Sequence, residues 1–533
     1  MLTIDQDFVY VMTNYNDKDK LKELNGTWFK GKGWRFPKNV WVMRELEHYI
    51  PQLKNNVQFI QTKTNMEASL LNLLNHKNKS IELNPKLRPY QNSDLHYLMQ
   101  IKSAGIFNEP RTGKTPMTIE LIRQTGSNKN IIITPASLIW NWHKEFKQWY
   151  PEHEVTVIHQ TKAKRQEIYK NFTQGTMVIS KDTLKSDLAN IVGIQFSFCA
   201  VDEAHFLRNY KTAQSEAICK INSERKYALT GTPTVKHASD IYGIFKFLYP
   251  KKYPSYWQFV ERYFYVHDGF FGKDIGNVKA KRKDELQELT GMMSVQRMRK
   301  EVMQWLPDKI HVDIPVLMKG KQEKLYRQLT DEFFAEDDNG TVIDTSNVLA
   351  QLMRLRQICL DPRLIGFDVV GEKTNAILEY LDYNREPIVI MSMFTSYLQM
   401  IKEDIEKLGL KVGMIHGQMS NEEKHQSAMQ FQNGKLDVLL CNIISAGTGF
   451  TLDRSNTIIF TDKAWNPAEN EQAEDRITPV TEERNHSHNI ITFECIDSVD
   501  ERINKILKDK KSITDIINEG GKQAIQRLIK GRL

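Results

Sequence analysis

Short, continuously apolar runs recur along the chain, and turn residues bound most of them. They are Ile131–Thr134, Thr176–Ser180, Phe198–Val201 and Tyr227–Leu229, then Ile388–Met391, Val412–Ile415, Asp437–Cys441, Thr457–Phe460 and Asn489–Phe493. Because the runs are continuous rather than alternating, they predict strands buried on both faces of a parallel sheet. Amphipathic stretches such as Leu138–Trp149 and Glu422–Phe431 lie between them and predict helices. Strands that alternate with helices indicate an α/β fold.

The pattern also divides the chain. The first sixty residues are rich in Trp, Tyr and Lys, and a charged, aromatic stretch with mostly helical period separates the two groups of apolar runs. The predicted parts are an accessory domain at 1–60, a linker at 61–84, a first α/β lobe at 85–250, a helical insertion and inter-lobe region at 251–365, a second lobe at 366–515 and a C-terminal tail at 516–533. A chain of 533 residues is long enough for several such cores.

Composition narrows the class of protein. A net charge of +7 permits nucleic-acid binding but does not demonstrate it. The five cysteines include no CxxC pair, which argues against a zinc site and fits a reducing cytosol. No apolar stretch is long enough to span a membrane, and the N-terminus lacks the pattern of a secretory signal. We therefore expect a cytoplasmic protein, and the many Asn, Lys and Ile residues suggest a bacterial or phage source with an AT-rich genome.

A phosphate-binding loop is predicted at Asn108–Thr115, which reads Asn-Glu-Pro-Arg-Thr-Gly-Lys-Thr ahead of an apolar, helix-like run. A Gly-Lys-Thr at a strand-to-helix turn presents backbone N–H groups and a helix N-terminus to phosphate. We expect Lys114 to reach the β- and γ-phosphates and the Thr115 hydroxyl to ligate Mg²⁺. Asn108 replaces the first glycine of the usual GxxxxGK[ST] pattern but tolerates a left-handed turn. The alternative is a surface turn with a chance Gly-Lys-Thr.

Two further motifs each follow a predicted strand. In Val-Asp-Glu-Ala-His, we expect Asp202 to hold Mg²⁺ through water and Glu203 to orient and deprotonate the attacking water. His205 is expected to couple the nucleotide site to the next motif, Leu229–Pro233, whose small hydroxyls can sense the γ-phosphate. The alternatives are an acidic loop that caps a helix and an ordinary tight turn.

These motifs, in this order, resemble those of superfamily 2 helicases, and specifically of SWI/SNF-like ATPases, over residues 85 to 510. Leu87–Gln91 resembles the adenine-reading motif, in which the Gln grips the base. Thr134–Leu138 resembles the motif that begins the DNA path. Met293–Lys309 and Leu352–Leu364 resemble the family's elements ahead of the second lobe.

The resemblance continues in the second lobe. His416–Ser420 resembles a motif near its first strands, and Ser445–Leu452 resembles a loop that contacts DNA phosphates, although a Gly-rich helix cap is the alternative. Asn470–Arg476 resembles the last motif, where Gln472 would face the nucleotide and Arg476 would act as an arginine finger. Pro479 occupies the place of the family's second arginine, so that finger is either absent or supplied by Arg484, and hydrolysis is expected to be slow or to need DNA.

Taken together, the resemblance implies two RecA-like lobes that hydrolyse ATP between them, with Mg²⁺, and track duplex DNA without sequence preference. The implied catalytic residues are Lys114, Asp202, Glu203 and Arg476. The implied ATP-binding residues are Arg88, Gln91, Arg111, Thr112, Gly113, Lys114, Thr115, His205, Gly449 and Gln472. The implied DNA-binding residues are Pro135, Ser137, Thr230, Thr232, His416, Ser445 and Thr448, and the implied Mg²⁺ ligands are Thr115 and Asp202.

The N-terminal segment suggests the task of the motor. Phe8–Val11, Leu21–Trp28 and Trp34–Pro37 interleave aromatics with Lys and Arg, which can stack on exposed bases and meet phosphates. The segment resembles the HARP-type module of annealing helicases, although its Trp residues can instead form a core. The leading hypothesis is therefore remodelling of branched DNA by fork regression, branch migration or annealing. A protein-displacing duplex translocase and a non-enzymatic DNA-binding scaffold with a degenerate ATP site are the alternatives.

Overall fold

The computed structural model describes most of the chain. The described residues are 2–13, 21–22, 24, 26–77, 79, 81–234, 238–269, 272–306, 308–336, 342–345, 347–446, 451–479, 487–509 and 512–531. They form two compact units, Met1–Val302 and Met303–Leu533. Each unit is built around a parallel sheet of its own.

A small antiparallel sheet begins the first unit. Its strands are β1 (Leu2–Ile4), β2 (Phe8–Val11), β3 (Thr27–Phe29) and β4 (Gly33–Pro37), in the order β1-β2-β4-β3, and helices α1 (Val40–Tyr49) and α2 (Val57–Lys77) follow. The Asn39 side chain accepts a hydrogen bond from the backbone of Val42 and so caps α1. Trp34 and Phe36 of β4 pack with Met43 of α1 in the core of this part. The predicted linker at 61–84 is therefore largely helix, because α2 runs to Lys77.

A seven-stranded sheet forms the rest of the first unit's core. Its strands are β5 (Ser103–Ile106), β6 (Lys129–Thr134), β7 (Val155–Ile158), β8 (Gly175–Ser180), β9 (Phe196–Val201), β10 (Ser223–Leu229) and β13 (Ser294–Val295). The order is β13-β5-β10-β9-β6-β8-β7, and every neighbouring pair is parallel. Ile131 and Ile133 belong to one apolar cluster and Ile132 to another, so both faces of the sheet are buried.

Helices surround this sheet. They are α3 (Pro89–Gln100), α4 (Lys114–Gln124), α5 (Ile139–Trp149), α6 (Lys162–Asn171), α7 (Lys181–Ile191), α8 (Ala213–Cys219) and α9 (Ile241–Leu248). The remaining elements of the first unit are α10 (Tyr256–Tyr263), the antiparallel pair β11 (Phe264–Gly269) and β12 (Gly272–Val278), α11 (Lys283–Met292) and α12 (Arg299–Val302).

Buried charges fasten the N-terminal sheet and α1 to the region of α10 and α11. The guanidinium of Arg262 donates to Glu45 on α1 at 3.0 Å and to Glu285 on α11 at 2.7 Å. Arg282 pairs with the same two carboxylates, and the hydroxyl of Tyr263 donates to Glu285 at 2.9 Å. Removing residues 1–60 would therefore leave two buried arginines without Glu45.

The second unit contains a six-stranded parallel sheet. Its strands are β14 (Lys309–Val316), β17 (Ile388–Ser392), β18 (Val412–Ile415), β19 (Val438–Asn442), β20 (Thr457–Phe460) and β21 (His488–Cys495), in the order β14-β21-β20-β17-β19-β18. A separate antiparallel pair comprises β15 (Phe334–Glu336) and β16 (Val342–Asp344). The helices are α13 (Gly320–Glu332), α14 (Val348–Leu360), α15 (Glu372–Tyr383), α16 (Thr395–Lys407), α17 (Asn421–Gln432), α18 (Ile443–Ala446), α19 (Pro467–Glu474), α20 (Val499–Lys508) and α21 (Ile513–Lys530).

These two sheets confirm the predicted α/β fold with two parallel-sheet lobes and a small N-terminal part. The interval 251–365 differs from the predicted mostly helical insertion, since β13 joins the first sheet and β14 the second. Neither strand has a continuous apolar run, because β13 has two residues and β14 is a largely exposed edge strand. Residues 516–533, predicted as a tail, include Ile525 and Leu528 of the second unit's core. Among the described residues, no helix has the length and apolarity needed to cross a membrane.

Candidate nucleotide-binding site

A tight loop joins β5 to α4 and begins the candidate site. Gly113 caps α4 with φ 83°, in the left-handed region, and a β-carbon there would collide with the amide of Gln91. The positive φ favours glycine at this position, and a larger residue would also displace the Gln91 amide. Arg111 is also left-handed, with φ 66°. The loop thus bends sharply and directs the N-terminus of α4 toward its interior, as phosphate binding needs.

Lys114 holds this loop from the inside. Its ammonium Nζ donates to the carbonyl of Asn108 at 2.9 Å and to that of Glu109 at 3.3 Å. The hydroxyl of Thr112 donates to the same Glu109 carbonyl at 2.7 Å. Thr115 follows in the first turn of α4 and is half-buried. The loop is therefore closed around the positive charge that the sequence assigns to nucleotide phosphates.

Two residues of the predicted adenine-binding motif donate hydrogen bonds to the phosphate loop. The buried amide of Gln91 donates to the Thr112 carbonyl at 2.9 Å and accepts from the backbone of Arg88 at 2.8 Å. The hydroxyl of Tyr90 donates to that same Thr112 carbonyl at 2.8 Å. Gln91 thus links α3 to the phosphate loop in this structure.

Asp202 lies directly beyond the end of β9 and is buried. One carboxylate oxygen accepts from the indole of Trp142 at 2.9 Å and from the hydroxyl of Thr134 at 3.1 Å, and the other accepts from the backbone of Glu203 at 2.9 Å. Burial, followed by the neighbouring Glu203, raises the pKa of Asp202 to about 6, while Lys114 acts to lower it. Neutral donors therefore orient a carboxylate that is still mostly ionised at pH 7.

Glu203 is positioned for a different role by its backbone. It is left-handed, with φ 51°, and its carboxylate lies 3.2 Å from Nδ1 of His205. The same imidazole nitrogen is 3.5 Å from the hydroxyl of Thr230, which in turn accepts from the backbone of Thr232 at 3.1 Å. His205 therefore contacts both the acidic motif and the Thr230 loop in this structure.

Thr230 itself does not fit the predicted DNA contact. Its side chain is completely buried, and it links His205 to the turn that carries the exposed Thr232. Because the Thr230 side chain is enclosed by these contacts, a DNA phosphate cannot reach its hydroxyl in this conformation. Thr232 remains the candidate for contact at this turn.

Three adjacent strands bring these groups together. The phosphate loop follows β5, the Thr230 turn follows β10 and Asp202 follows β9, and these strands are neighbours in the parallel sheet. Their carboxyl ends therefore meet at one edge, where ligands bind in open α/β sheets. The sequence placed the motifs after strands but did not give this strand order.

The donors at this edge fit Mg²⁺ bound together with phosphates. Asp202 offers a carboxylate and Thr115 a hydroxyl, whereas the described residues contain no cluster of three or more His, Cys, Asp or Glu that could hold a metal by itself. Mg²⁺ commonly takes one or two protein oxygens and completes its shell with phosphates and water.

The loop after β6 lies at the same edge, since β6 neighbours β9. It carries Pro135, which is half-buried, and Ser137, whose side chain lies outside the described part of the structure. Sequence reasoning missed Trp140 on α5, which is 46% exposed, with its ring centroid 4.8 Å from that of His159. The helical periodicity of α5 could have predicted that Trp140 is exposed, because Trp142, two positions later, faces the core.

The second unit carries the remaining predicted residues. Arg476 follows the end of α19, where its Nε donates to the carbonyl of Gln472 at 3.2 Å. Its own carbonyl accepts from the backbone of Leu452 at 2.8 Å, which joins the last motif to the end of the Gly-rich segment. Pro479 is buried. Gly449, Thr448 and Arg484 lie outside the described residues.

His416 and Ser445 follow the adjacent strands β18 and β19. A β-carbon at Gly417 would lie 3.4 Å from the Ser445 hydroxyl, so the two turns are in contact. The backbone N–H and hydroxyl of Ser445 both donate to the side chain of Asn442 at 3.3 Å. These two predicted DNA-binding residues therefore share one edge of the second sheet.

Comparisons with known proteins agree with this order of motifs. Residues 90–364 match a family model described as "SNF2-related domain", and residues 372–478 match one described as "Helicase conserved C-terminal domain". A Bacillus subtilis protein, named provisionally as an ATP-dependent helicase/translocase, is 28% identical over 472 residues, covering 84% of this chain and 50% of its own. The mouse protein "Chromodomain-helicase-DNA-binding protein 1-like" is 23% identical over 471 residues, covering 82% of this chain and 50% of its own.

The chain spans about half the length of these curated relatives. Among solved structures, it is similar to the Sulfolobus solfataricus SWI2/SNF2 ATPase core in complex with dsDNA. The sequence identity is 22% and the TM-score 0.39, and the match covers 84% of this chain and 96% of that one.

Proposed function

This chain belongs to the SNF2-related family, with a helicase conserved C-terminal domain after the SNF2-related domain, and from that premise we propose that it is an ATP-driven DNA translocase. The observation that carries the proposal is Asp202, a buried carboxylate held by neutral donors beside Glu203 and close enough to Lys114 to feel its charge. A buried carboxylate is costly unless an opposite charge compensates it. Mg²⁺ bound with ATP would provide that charge.

In this proposal, the chain's own groups divide the chemistry. Lys114 and the backbone of its loop bind the β- and γ-phosphates, and Asp202 and Thr115 hold Mg²⁺, which would neutralise phosphate charge. Glu203 accepts a proton from the attacking water. Arg476 stabilises the charge that develops on the transferred phosphoryl group, a role that rests on its sequence motif.

The motor part of the proposal rests on phosphate contacts by both units. Pro135, Ser137 and Thr232 of the first unit, with His416 and Ser445 of the second, are the proposed contacts, together with Thr448. Phosphate contacts carry no sequence information and weaken with salt. If nucleotide binding and hydrolysis alternately close and open the two units, these phosphate contacts move stepwise along the DNA. The mouse relative's printed name, which includes DNA binding, supports this substrate.

We further propose that the N-terminal sheet directs the motor to branched DNA. Trp34 and Phe36 form its core, but Trp28 is 59% exposed and Phe29 is 43% exposed on the neighbouring β3. The guanidinium of Arg35 lies 4.7 Å from the ring centroid of Phe8 and 5.5 Å from that of Phe29. Exposed aromatics beside cations suit stacking on unpaired bases with phosphate contacts. A fork with single-stranded arms offers such bases, whereas a linear duplex does not.

An ATPase titration tests both parts. The purified chain would be assayed with no DNA, single-stranded DNA, linear duplex, a fork and a four-way junction, at matched nucleotide concentration. We expect stimulation by duplex and a larger stimulation by the fork and the junction. Equal stimulation by linear duplex would instead favour a translocase that displaces proteins. The absence of hydrolysis with every DNA would leave the scaffold alternative.

A further inference from the structure

A buried carboxylate that the sequence did not single out lies behind the phosphate loop. Asp94 on α3 is 2% exposed. Its carboxylate accepts from Arg297 through two guanidinium nitrogens, at 2.6 Å from Nη2 and 3.0 Å from Nε. The other oxygen accepts from the amide of Asn108 at 3.3 Å. Asp94 therefore bridges the loop position that usually holds glycine to an arginine 203 residues further along the chain.

The segment around Arg297 is attached to the loop at two more points. The carbonyl of Arg297 accepts from the backbone of Glu109 at 3.1 Å, and the Glu109 carboxylate accepts from the backbone of Arg299 at 2.6 Å. This segment continues the pairing of β13 with β5. Asn108 and Glu109 are also the two residues whose carbonyls Lys114 holds. The loop is thus held by Lys114 on one side and by Asp94, Arg297 and Arg299 on the other.

We propose that Asp94 and Arg297 are positioning residues for the phosphate loop, and that they make its affinity for ATP depend on the segment that ends at Val302. Asn108 carries a side chain where glycine would leave the loop free, and Asp94 fixes that side chain in one place. The chain passes from Val302 directly into the second unit. The segment is therefore the covalent connection through which a conformational change in the second unit would reach the phosphate loop. This inference rests on the proposed ATPase function.

The first unit offers a matched control for the loss of such a pair. Arg165 and Asp187 form a second buried arginine–aspartate pair, with Nε 2.6 Å and Nη2 3.1 Å from the carboxylate. Asp187 is as buried as Asp94, and Tyr169 also donates to it, at 2.8 Å. This pair joins α6 to α7, and none of its partners belongs to the phosphate loop. Replacing either aspartate removes one buried ion pair, but only Asp94 contacts the loop.

The test measures the Kd of a fluorescent, non-hydrolysable ATP analogue, the KM and kcat of DNA-stimulated hydrolysis, and the melting temperature. We expect Asp94→Asn to raise the analogue Kd and the KM on the order of tenfold, with a smaller change in kcat, whereas Asp187→Asn lowers the melting temperature without changing Kd. Arg297→Lys should bind the analogue better than Arg297→Gln, because it keeps the charge but not the planar fork.

A double-mutant cycle decides whether Asp94 acts through the loop. In an Asn108→Gly background Asp94 keeps only its connection to the loop through Arg297, so adding Asp94→Asn should raise Kd by a smaller factor than it does in the parent. The inference is overturned if Asp94→Asn and Asp187→Asn shift Kd equally, or if the full effect of Asp94→Asn persists with Asn108→Gly. If the unaltered chain neither binds the analogue nor hydrolyses ATP, the proposed function falls as well, which is a separate and recognisable result.

Discussion

Asp202 of the first unit contrasts with two buried carboxylates of the second unit, although other carboxylates of the first unit, such as Asp94 and Asp187, are paired with arginine. In the second unit, Asp500 pairs with Lys373 at 2.5 Å and Asp462 pairs with Arg356 at 3.0 Å. In the first unit, Asp202 is equally enclosed, yet within the described part of the chain no Lys or Arg lies at ion-pair distance from it. Its partners are an indole, a hydroxyl and a backbone N–H. Burial consequently raises the pKa of Asp202 to about 6.

The difference separates carboxylates that are paired within the fold from one that we propose to bind a ligand. A buried ion pair is neutral overall, and breaking it leaves one charge uncompensated. An unpaired buried carboxylate lowers stability unless something outside the protein compensates it, and such groups concentrate at functional sites. Substitutions at such groups distinguish those that stabilise the fold from those that act at the site.

The largest effect is expected at Arg476, the residue of the second unit assigned to catalysis rather than to the core. Arg476→Ala should lower kcat about a thousandfold at saturating ATP and DNA, since an arginine finger contributes at least that much in related ATPases. Steady-state hydrolysis of ATP measures it. Arg527→Ala, which alters an exposed arginine on α21, should leave kcat unchanged. If Arg476→Ala hydrolyses ATP at a rate comparable to that of the parent, Arg476 does not act as an arginine finger.

Breaking a paired charge should instead act on stability. Lys373→Met leaves Asp500 buried without its partner, and we expect a loss of about 3–5 kcal/mol in the free energy of unfolding, measured by urea titration. Combining it with Asp500→Leu should recover most of that loss, because no charge then remains. A loss below about 1 kcal/mol in the single variant would contradict the view that this pair stabilises the second unit.

The stability that Asp202 contributes to the folded chain should decrease as the pH rises, because the pKa of its carboxyl is raised. Its pKa is about 6 in the folded chain and 3.8 as the ordinary value, so its contribution to stability is present at low pH and is lost as pH rises through 6. Asp202→Asn removes that loss. The variant's stability relative to the parent should therefore rise between pH 4 and pH 7, by up to ~3 kcal/mol.

The same variant should lose ATPase activity, and the parent's activity should fall below about pH 6 as the carboxylate is protonated. Urea titrations and ATPase assays across this pH range measure both. If the relative stability of Asp202→Asn stays flat with pH, the carboxylate has an ordinary pKa and the contrast with Asp500 disappears.

The smallest effect concerns the exposed aromatics. Trp28→Ala should weaken binding to forked DNA by about 1–3 kcal/mol, the usual value of one base–aromatic stack, and leave linear-duplex binding unchanged. Fluorescence anisotropy at fixed salt measures it. Tyr383→Ala, which removes another exposed ring, is the matched control. An equal loss on both DNAs, or on neither, would argue that β3 does not read unpaired bases.

Local pattern predicted four strands of the first sheet and five of the second, because parallel strands buried on two faces read as continuous apolar runs, as at β6 and β19. It also singled out Gly113 and Lys114 by their Gly-Lys-Thr motif at the start of a helix, and Asp202 by its place directly after a strand. It did not predict β14, whose exposed side chains at a sheet edge leave no apolar run. Contacts between distant segments were equally invisible, because nothing in the spacing of Asp94 and Arg297 signals that they meet.

Packing gives partners within the protein to two residues whose motifs had suggested ligand contacts. Thr230 sits in a loop that looked accessible, yet its side chain is enclosed and bonded to His205. Gln91 was expected to grip adenine, and its amide is bonded to the phosphate loop and to Arg88. A sequence motif identifies which residues gather at a site, but only packing decides which of them face a ligand.

ATP hydrolysis by Glu203→Gln shows whether the carboxylate of Glu203 acts as the base. The substitution keeps the size of the side chain but removes the base, so the variant should bind the ATP analogue like the parent and hydrolyse ATP at least a hundredfold more slowly with duplex DNA present. Glu216→Gln, on an exposed face of α8, should hydrolyse ATP at the parent's rate. Hydrolysis by Glu203→Gln as fast as by the parent would contradict the claim that ATP is cleaved at the edge formed by Lys114, Asp202 and Glu203.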